Sequence, residues 1–252
     1  MSRDILFGSI SMKEEPDHGL DRTTEMAYGE LLQQVRILGF PHLWRTWNYF
    51  PRMNEEENGL ERYRRFCIGR YQALSEALPD FPSSLPAGTA VGTRSGPLQI
   101  YFVAGAYSAV HLGNPRQVDA YRYPDTYGPR SPSFARATFC RSDAATQLFI
   151  SGTASVVGHE SQHRGQVEMQ ARETVTNLRA LIERAECFRT GVEAGSEPQS
   201  SFKVYVRNPD HLGIVRQSLQ DPFFLSSRLI YLQGDLCRKE LLVEIEGLVT
   251  TD

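Results

Sequence analysis

Lysine is almost missing from this chain: it occurs only at positions 13, 203 and 239, so arginine carries nearly all of the positive charge. A guanidinium fork grips a carboxylate in a bidentate way, whereas an ammonium offers a point charge. Most surface arginines simply solvate, so the bias by itself assigns nothing. An excess of basic charge is also absent. The net charge is −3 and the isoelectric point about 6.1, which leaves no electrostatic footprint for nucleic acid. Cysteine is sparse and scattered at 67, 140, 187 and 237 with no CxxC pair, which excludes a disulfide framework and a thiolate zinc site and implies four free thiols. No stretch approaches the roughly 18 apolar residues of a membrane span. The opening MSRDILFGSISMKEE lacks a charged leader followed by an apolar core. A cytoplasmic protein with no membrane partner is expected.

What is present is an ordinary globular composition, 40% hydrophobic and 23% charged over 252 residues, enough for one large domain or two moderate ones. Two halves read as one repeated order of elements. The first runs strand Ile5–Met12, helix Arg22–Leu38, strand His42–Phe50, helix Leu60–Leu78, and strands Ala87–Gly92 and Leu98–Ala104. The second runs strands Ser133–Phe139 and Gln147–Val157, a helix over about Gly165–Ala185, strand Phe202–Arg207, helix Pro209–Leu219, and strands Leu229–Gln233 and Glu240–Leu248. A connection rich in proline, glycine and tyrosine, Gly113–Pro132, joins them, and Thr190–Ser200 reads as a surface loop. The expected domains are 1–112, a connecting segment 113–132, and 133–252. The alternation of strands and helices, twice over, points to an α/β or α+β pair built on one plan.

His159-Glu160-Ser161-Gln162-His163 matches the HExxH zinc pattern, which needs both histidines on one face of an established helix. Here the segment follows a strand directly and lies between Gly158 and Gly165. A polar turn at a helix N-terminus fits that context better than a metal site.

The run GDLCRKELLVEIEG, residues 234–247, gathers a thiol, two cations and three carboxylates ahead of and within a strand. Alternation places Leu242, Glu244 and Glu246 on one face and Val243 and Ile245 on the other. By periodicity alone Glu244 reads as a solvated strand residue rather than an acid held for chemistry.

Several blocks together resemble the chorismatase family, enzymes that cleave chorismate and release pyruvate. They are PHLWRTWNYFP (41–51), GLERYRRFCIGR (59–70), NPRQVDAYRYPDTYGPRSPSFARAT (114–138), FISGTASVVGHESQHRGQVEMQARETVTNL (149–178), KVYVRNPDHLGIVR (203–216) and GDLCRKELLVEIEG (234–247). The resemblance implies an α+β fold of two RidA/YjgF-like (chorismate-mutase-like) domains packed as a pseudo-symmetric pair. Family members usually carry further strands ahead of the point where this chain starts. The first domain is therefore expected to lack N-terminal strands, leaving a sheet edge open to a second copy of the chain.

The resemblance also implies roles. Glu244 matches the family's catalytic acid, which protonates the methylene carbon of the enolpyruvyl ether. Such an acid must keep its proton near neutral pH, which requires apolar surroundings contributed by other strands. The two carboxylates of chorismate call for Tyr127, Arg130 and Arg136, with Arg216 and Arg70 as further candidates. Tyr63 and Tyr127 are placed to hydrogen-bond the ring hydroxyl or the enolpyruvyl oxygen, and Gly152 and Thr153 to form a pocket floor. Ala154 and Cys237 look like the branch that forms 3-hydroxybenzoate. The resemblance implies neither metal nor organic cofactor. Two other readings stand beside it: RidA-type enamine or imine hydrolysis, and a non-catalytic protein that binds a small molecule or serves as a scaffold.

Overall fold

The computed structural model describes residues 4–15, 17–141, 145–186 and 199–251. The first half contains β1 (Ile5–Met12), α1 (Leu20–Ile37), β2 (His42–Pro51), α2 (Arg62–Ala77), β3 (Ala87–Thr93) and β4 (Leu98–Gly105). After it come β5 (Val110–Leu112), β6 (Ala137–Arg141), β7 (Thr146–Ala154), α3 (Val167–Glu186), β8 (Gln199–Val206), α4 (Leu212–Ser218), β9 (Ser227–Gln233) and β10 (Val243–Thr251). The loop expected at Thr190–Ser200 and the thiol of Cys187 lie outside the described residues, except that Gln199 and Ser200 begin β8.

The duplication read from element order is visible in the sheets. The first sheet is ordered β1-β4-β2-β3, and the second repeats that order as β7-β10-β8-β9 before adding β6 and β5 outside β7. In each half the last two strands of the order are parallel and joined through a helix, while all other pairs are antiparallel. No strand covers the outer edge of β1 among the described residues. The fold is α+β with two similarly built halves.

Alternation explains where the cores sit. On β2, Thr46, Asn48 and Phe50 face α1 and α2, where Tyr28, Leu31, Phe66 and Leu74 complete one core. On β8 and β10, Val204, Val206, Val243 and Ile245 face α3, packing with Val175, Leu178 and Leu181 in a second core. The helices cross closely because Gly69 of α2 lies against the backbone of α1; a Cβ there would meet the Asp21 carbonyl at 1.9 Å. The opposite faces of the two sheets meet each other, and this contact carries polar chemistry. Ala87 N–H donates to Thr138 Oγ1, Gly88 N–H to Ser151 Oγ and Gly152 N–H to Thr89 Oγ1, all within 2.9 Å.

Several boundaries differ from the sequence reading, for local reasons. Val110–Leu112 was placed in the first domain, yet it pairs with Ala137–Phe139 in the second sheet. The C-terminal strand begins at Val243 rather than Glu240, because Leu241 N–H turns back to the Arg238 carbonyl. Leu60 and Glu61 form a short hairpin with Glu56 and Glu57 before α2 starts. The helix expected from Pro209 opens as a 3-10 turn, in which Asn208 accepts the Asp210 N–H. HESQH, by contrast, is non-helical as expected, and α3 starts only at Val167. Gly158 and His159 form the two-residue loop of a hairpin in which Val157 pairs with Glu160. His159 then faces Tyr127 and His163 faces Glu173, so the two rings do not converge.

Candidate active site

Where the two sheets meet, a cavity of about 400 Å³ opens between the start of α2, the connecting segment, β7 and the loop leading into β10. Its position follows from the interface: the second sheet turns Glu244 toward the first, and the segment 113–136 folds across the end.

Glu244 sits at the inner end and is 4% exposed. On β10 it lies directly opposite Tyr205 of β8 and Ala154 of β7. Between Ile245↔Thr153 and Gly247↔Ile150 the register shifts, so β7 carries an extra residue there, a bulge that includes Gly152. That glycine makes room for the acid, since a Cβ at 152 would stand 2.3 Å from Glu244 Oε1. The apolar wall is a cluster of Val91, Ala154, Val156, Tyr205, Leu236 and Leu241, contributed by both sheets and the loop before β10. Burial, with the nearby negative charge of Glu246 adding to it, raises the Glu244 carboxyl from the usual carboxylate range to about 8. Arg45, Arg207 and Arg136 oppose the rise without cancelling it.

Glu246, two residues on, has another fate. It is equally buried, but Arg45 Nη2 lies 2.6 Å from Oε2, Lys203 Nζ 3.0 Å from Oε1, and the Tyr205 hydroxyl donates to Oε1 at 3.2 Å. One strand face therefore presents a paired carboxylate and an acid held without such a partner, the arrangement that separates acid and base roles.

The loop 234–241 is rigidly braced. Arg207 donates to the carbonyls of Leu241, Leu236 and Arg238 and pairs with Asp235 at 2.8 Å. Gln170, fully buried on α3, accepts the Leu242 N–H and donates to the Glu240 carbonyl. Cys237 thereby lines the cavity, where burial foremost, then Glu244, pushes its thiol up to about 12. It is a neutral thiol at physiological pH, suited to shaping the pocket rather than to attack.

Seven of the residues singled out in the sequence line the cavity: Glu244, Cys237, Tyr63, Tyr127, Arg136, Gly152 and Ala154. Arg136 is nearly buried, donating to the Val118 carbonyl and the Tyr123 hydroxyl, with its Nε unpartnered among the described residues. Four others lie elsewhere. Arg216 is exposed on α4, on the helix side of the second sheet, over the Tyr231 ring. Arg130 is exposed over Tyr71. Arg70, more than a helical turn beyond Tyr63, is buried between Tyr28 and Phe66 and donates to Thr46. Thr153 sits opposite Ile245 and donates to the Ser151 carbonyl, away from the cavity.

Residues 1–104 match the family described as Chorismatase FkbO/Hyg5-like, N-terminal. A 3-hydroxybenzoate synthase of Streptomyces hygroscopicus is 39% identical over 90% of this chain and 68% of its own length. A chorismatase of Streptomyces rapamycinicus is 36% identical over 98% of this chain and 75% of its own. This chain belongs to the chorismatase family. A crystal structure of a chorismatase superposes with a TM-score of 0.86 at 36% identity, covering 98% of this chain and 75% of that one.

The cavity of this chorismatase-family chain also contains groups that its motifs did not single out. Arg64, Arg238 and Lys239 add cations, and Tyr123 and Gln117 add polar wall. Arg238 lies 4.0 Å over the Tyr127 ring and 5.3 Å from Tyr123, while donating to the His159 carbonyl. HESQH thus braces the cavity-lining Arg238 and Tyr127 from behind, and none of its five residues lines the cavity itself. Among the described residues, no three His, Cys, Asp or Glu side chains come together as metal ligands. No described helix is long and apolar enough to cross a membrane.

Proposed function

We propose that this chain cleaves chorismate with release of pyruvate, forming 3-hydroxybenzoate. The observation that carries the reading is Glu244, a carboxyl that keeps its proton to about pH 8 at the inner end of a closed-in cavity of suitable size for one small dianion. Glu244 delivers that proton to the terminal methylene of the enolpyruvyl ether. The adjacent carbon becomes an oxocarbenium. The neighbouring ring hydroxyl attacks the ring carbon as its bond to the ether oxygen breaks, and pyruvate leaves with that oxygen. The hydroxyl proton returns to the Glu244 carboxylate, and opening of the resulting epoxide with loss of a ring hydrogen aromatises the ring. Arg136, Arg238, Arg64 and Lys239 supply positive charge for the two carboxylates. Tyr63 and Tyr127 supply hydroxyls for the neutral oxygens.

3-Hydroxybenzoate and pyruvate together have the composition of chorismate, so that outcome consumes no net water. Cys237 and Ala154 flank the acid, and by filling the space beside it they favour the substrate's own hydroxyl over water. Incubation with chorismate, followed by measurement of pyruvate and separation of the aromatic products, tests the reading. Pyruvate with 3-hydroxybenzoate is expected, and pyruvate no faster than spontaneous decay would refute it.

The edge of β1, uncovered among the described residues and with Phe7 64% exposed, supports self-association of two chains edge to edge. A monomer at all concentrations in sedimentation would refute that part.

A further inference from the structure

Glu244 and Glu246 share one face of β10, and the cations that surround them are unevenly divided. Arg45, 0% exposed on β2, reaches across from the first sheet with Nη2 on Glu246 Oε2 and also donates to Thr89 Oγ1. Thr89 Oγ1 in turn accepts the N–H of Gly152, the residue against which the Glu244 carboxyl rests. A guanidinium with Nε and Nη1 unpartnered among the described residues therefore stands one threonine away from a buried, protonated acid. A bare cation in such a place draws the proton off a carboxyl, because the ion pair that results is worth more in a poorly solvated site than in water. Glu246 occupies that cation.

We propose that Glu246 is a positioning residue of the reaction: by engaging Arg45 it keeps that guanidinium from pairing with Glu244, and so leaves the acid its proton. The inference rests on the reading of Glu244 as proton donor. Lys203, directly opposite Glu246 on β8, and the Tyr205 hydroxyl also engage the Glu246 carboxyl. The remaining charged and titratable groups around Glu244 are Arg136 on the connecting segment, Arg207 after β8 and Cys237 on the braced loop. Farther out in the cavity are Tyr63, Arg64 and Glu61 near the start of α2, with Glu56 before them. Tyr123, Tyr127, Arg238, Lys239 and Glu240 complete the set. Arg136 and Arg207 are each committed to other oxygen acceptors. Of the cations acting on Glu244, Arg45 is the one that Glu246 pairs.

The test follows the alkaline limb of kcat/KM for pyruvate release, together with the infrared band of the protonated Glu244 carboxyl in unliganded protein, isolated by subtracting the Glu244→Gln spectrum. Glu246→Gln should move both the limb and the loss of the band to lower pH by about one unit or more, and Glu246→Asp should restore them. Arg45→Met, which leaves Lys203 on Glu246, should move both to higher pH. Opposite displacements are not what a purely structural ion pair gives. A slower enzyme with an unmoved limb and band in both variants would overturn the proposal. If Glu246→Gln does not fold, Arg45→Met alone decides by the same readout. Wild-type protein that makes no pyruvate overturns the reaction, and the carboxyl band then reports separately whether Glu246 governs the proton on Glu244.

Discussion

The Glu244 carboxyl occupies the volume that any side chain at position 152 would need: a Cβ there would lie 2.3 Å from Oε1 and 3.1 Å from Thr89 Cγ2. Acid and bulge are built for each other. Gly152→Ala is therefore expected to push the carboxyl off its seat, lowering kcat for pyruvate release by at least about 100-fold. Thermal stability should fall by only about 1–3 kcal/mol. Steady-state kinetics and melting curves of the same preparation check this.

Glu244→Gln removes the proton donor and keeps the shape. Activity is expected to drop by about 10²–10⁴-fold. In the wild type, kcat/KM should fall as pH rises through about 8, where Glu244 ionises.

Stability carries the same signature. The folded protein holds the Glu244 proton more tightly than the unfolded chain, so the favourable contribution is complete below pH 4.5 and is lost as pH rises through about 8. Above pH 8 Glu244→Gln should therefore be more stable than wild type, by on the order of 5 kcal/mol, with the difference vanishing near pH 4. Denaturant titrations at the two pH values measure it.

Product choice should follow the wall beside the acid. Cys237→Ala combined with Ala154→Gly enlarges the space next to Glu244 and is expected to shift output from 3-hydroxybenzoate toward the product of water addition. An unchanged ratio on chromatography would show that these side chains do not select the route. The neutral Cys237 thiol should also react slowly with iodoacetamide at pH 7.

Away from the cavity, Gly69→Ala forces a methyl against the Asp21 carbonyl in the α1–α2 crossing. A loss of about 2–4 kcal/mol is expected in denaturant unfolding, with the substrate KM unaltered in the protein that remains folded.

Periodicity and turn chemistry carry short-range information, and most of the helices and strands were legible through them. Motif order carried Glu244, Cys237 and Arg136 to one cavity. What could not be read was which face of a strand meets another sheet. Arg45 sits between Trp44 and Trp47 in a buried strand, and its charge in that company was a signal of an unusual partner. The partner, Glu246, lies 201 residues away and belongs to the other half. Arg130 and Arg216 lie outside the cavity for the converse reason. Their motifs are near the site in the chain, but side-chain direction is set by the packing of the turn and helix that bear them.

The pairing of β5 with β6 makes covalent order and spatial order disagree. Residues 113–136 leave the second sheet and return to its neighbouring strand, so this long segment is a loop of one half and not a tether between two. Both of its ends are pinned, and its Tyr123 and Tyr127 are committed as cavity wall. The true joint between the halves is residues 106–109, between β4 and β5. With so short a joint, the wall that crosses the cavity holding Glu244 comes from the segment 113–136 instead.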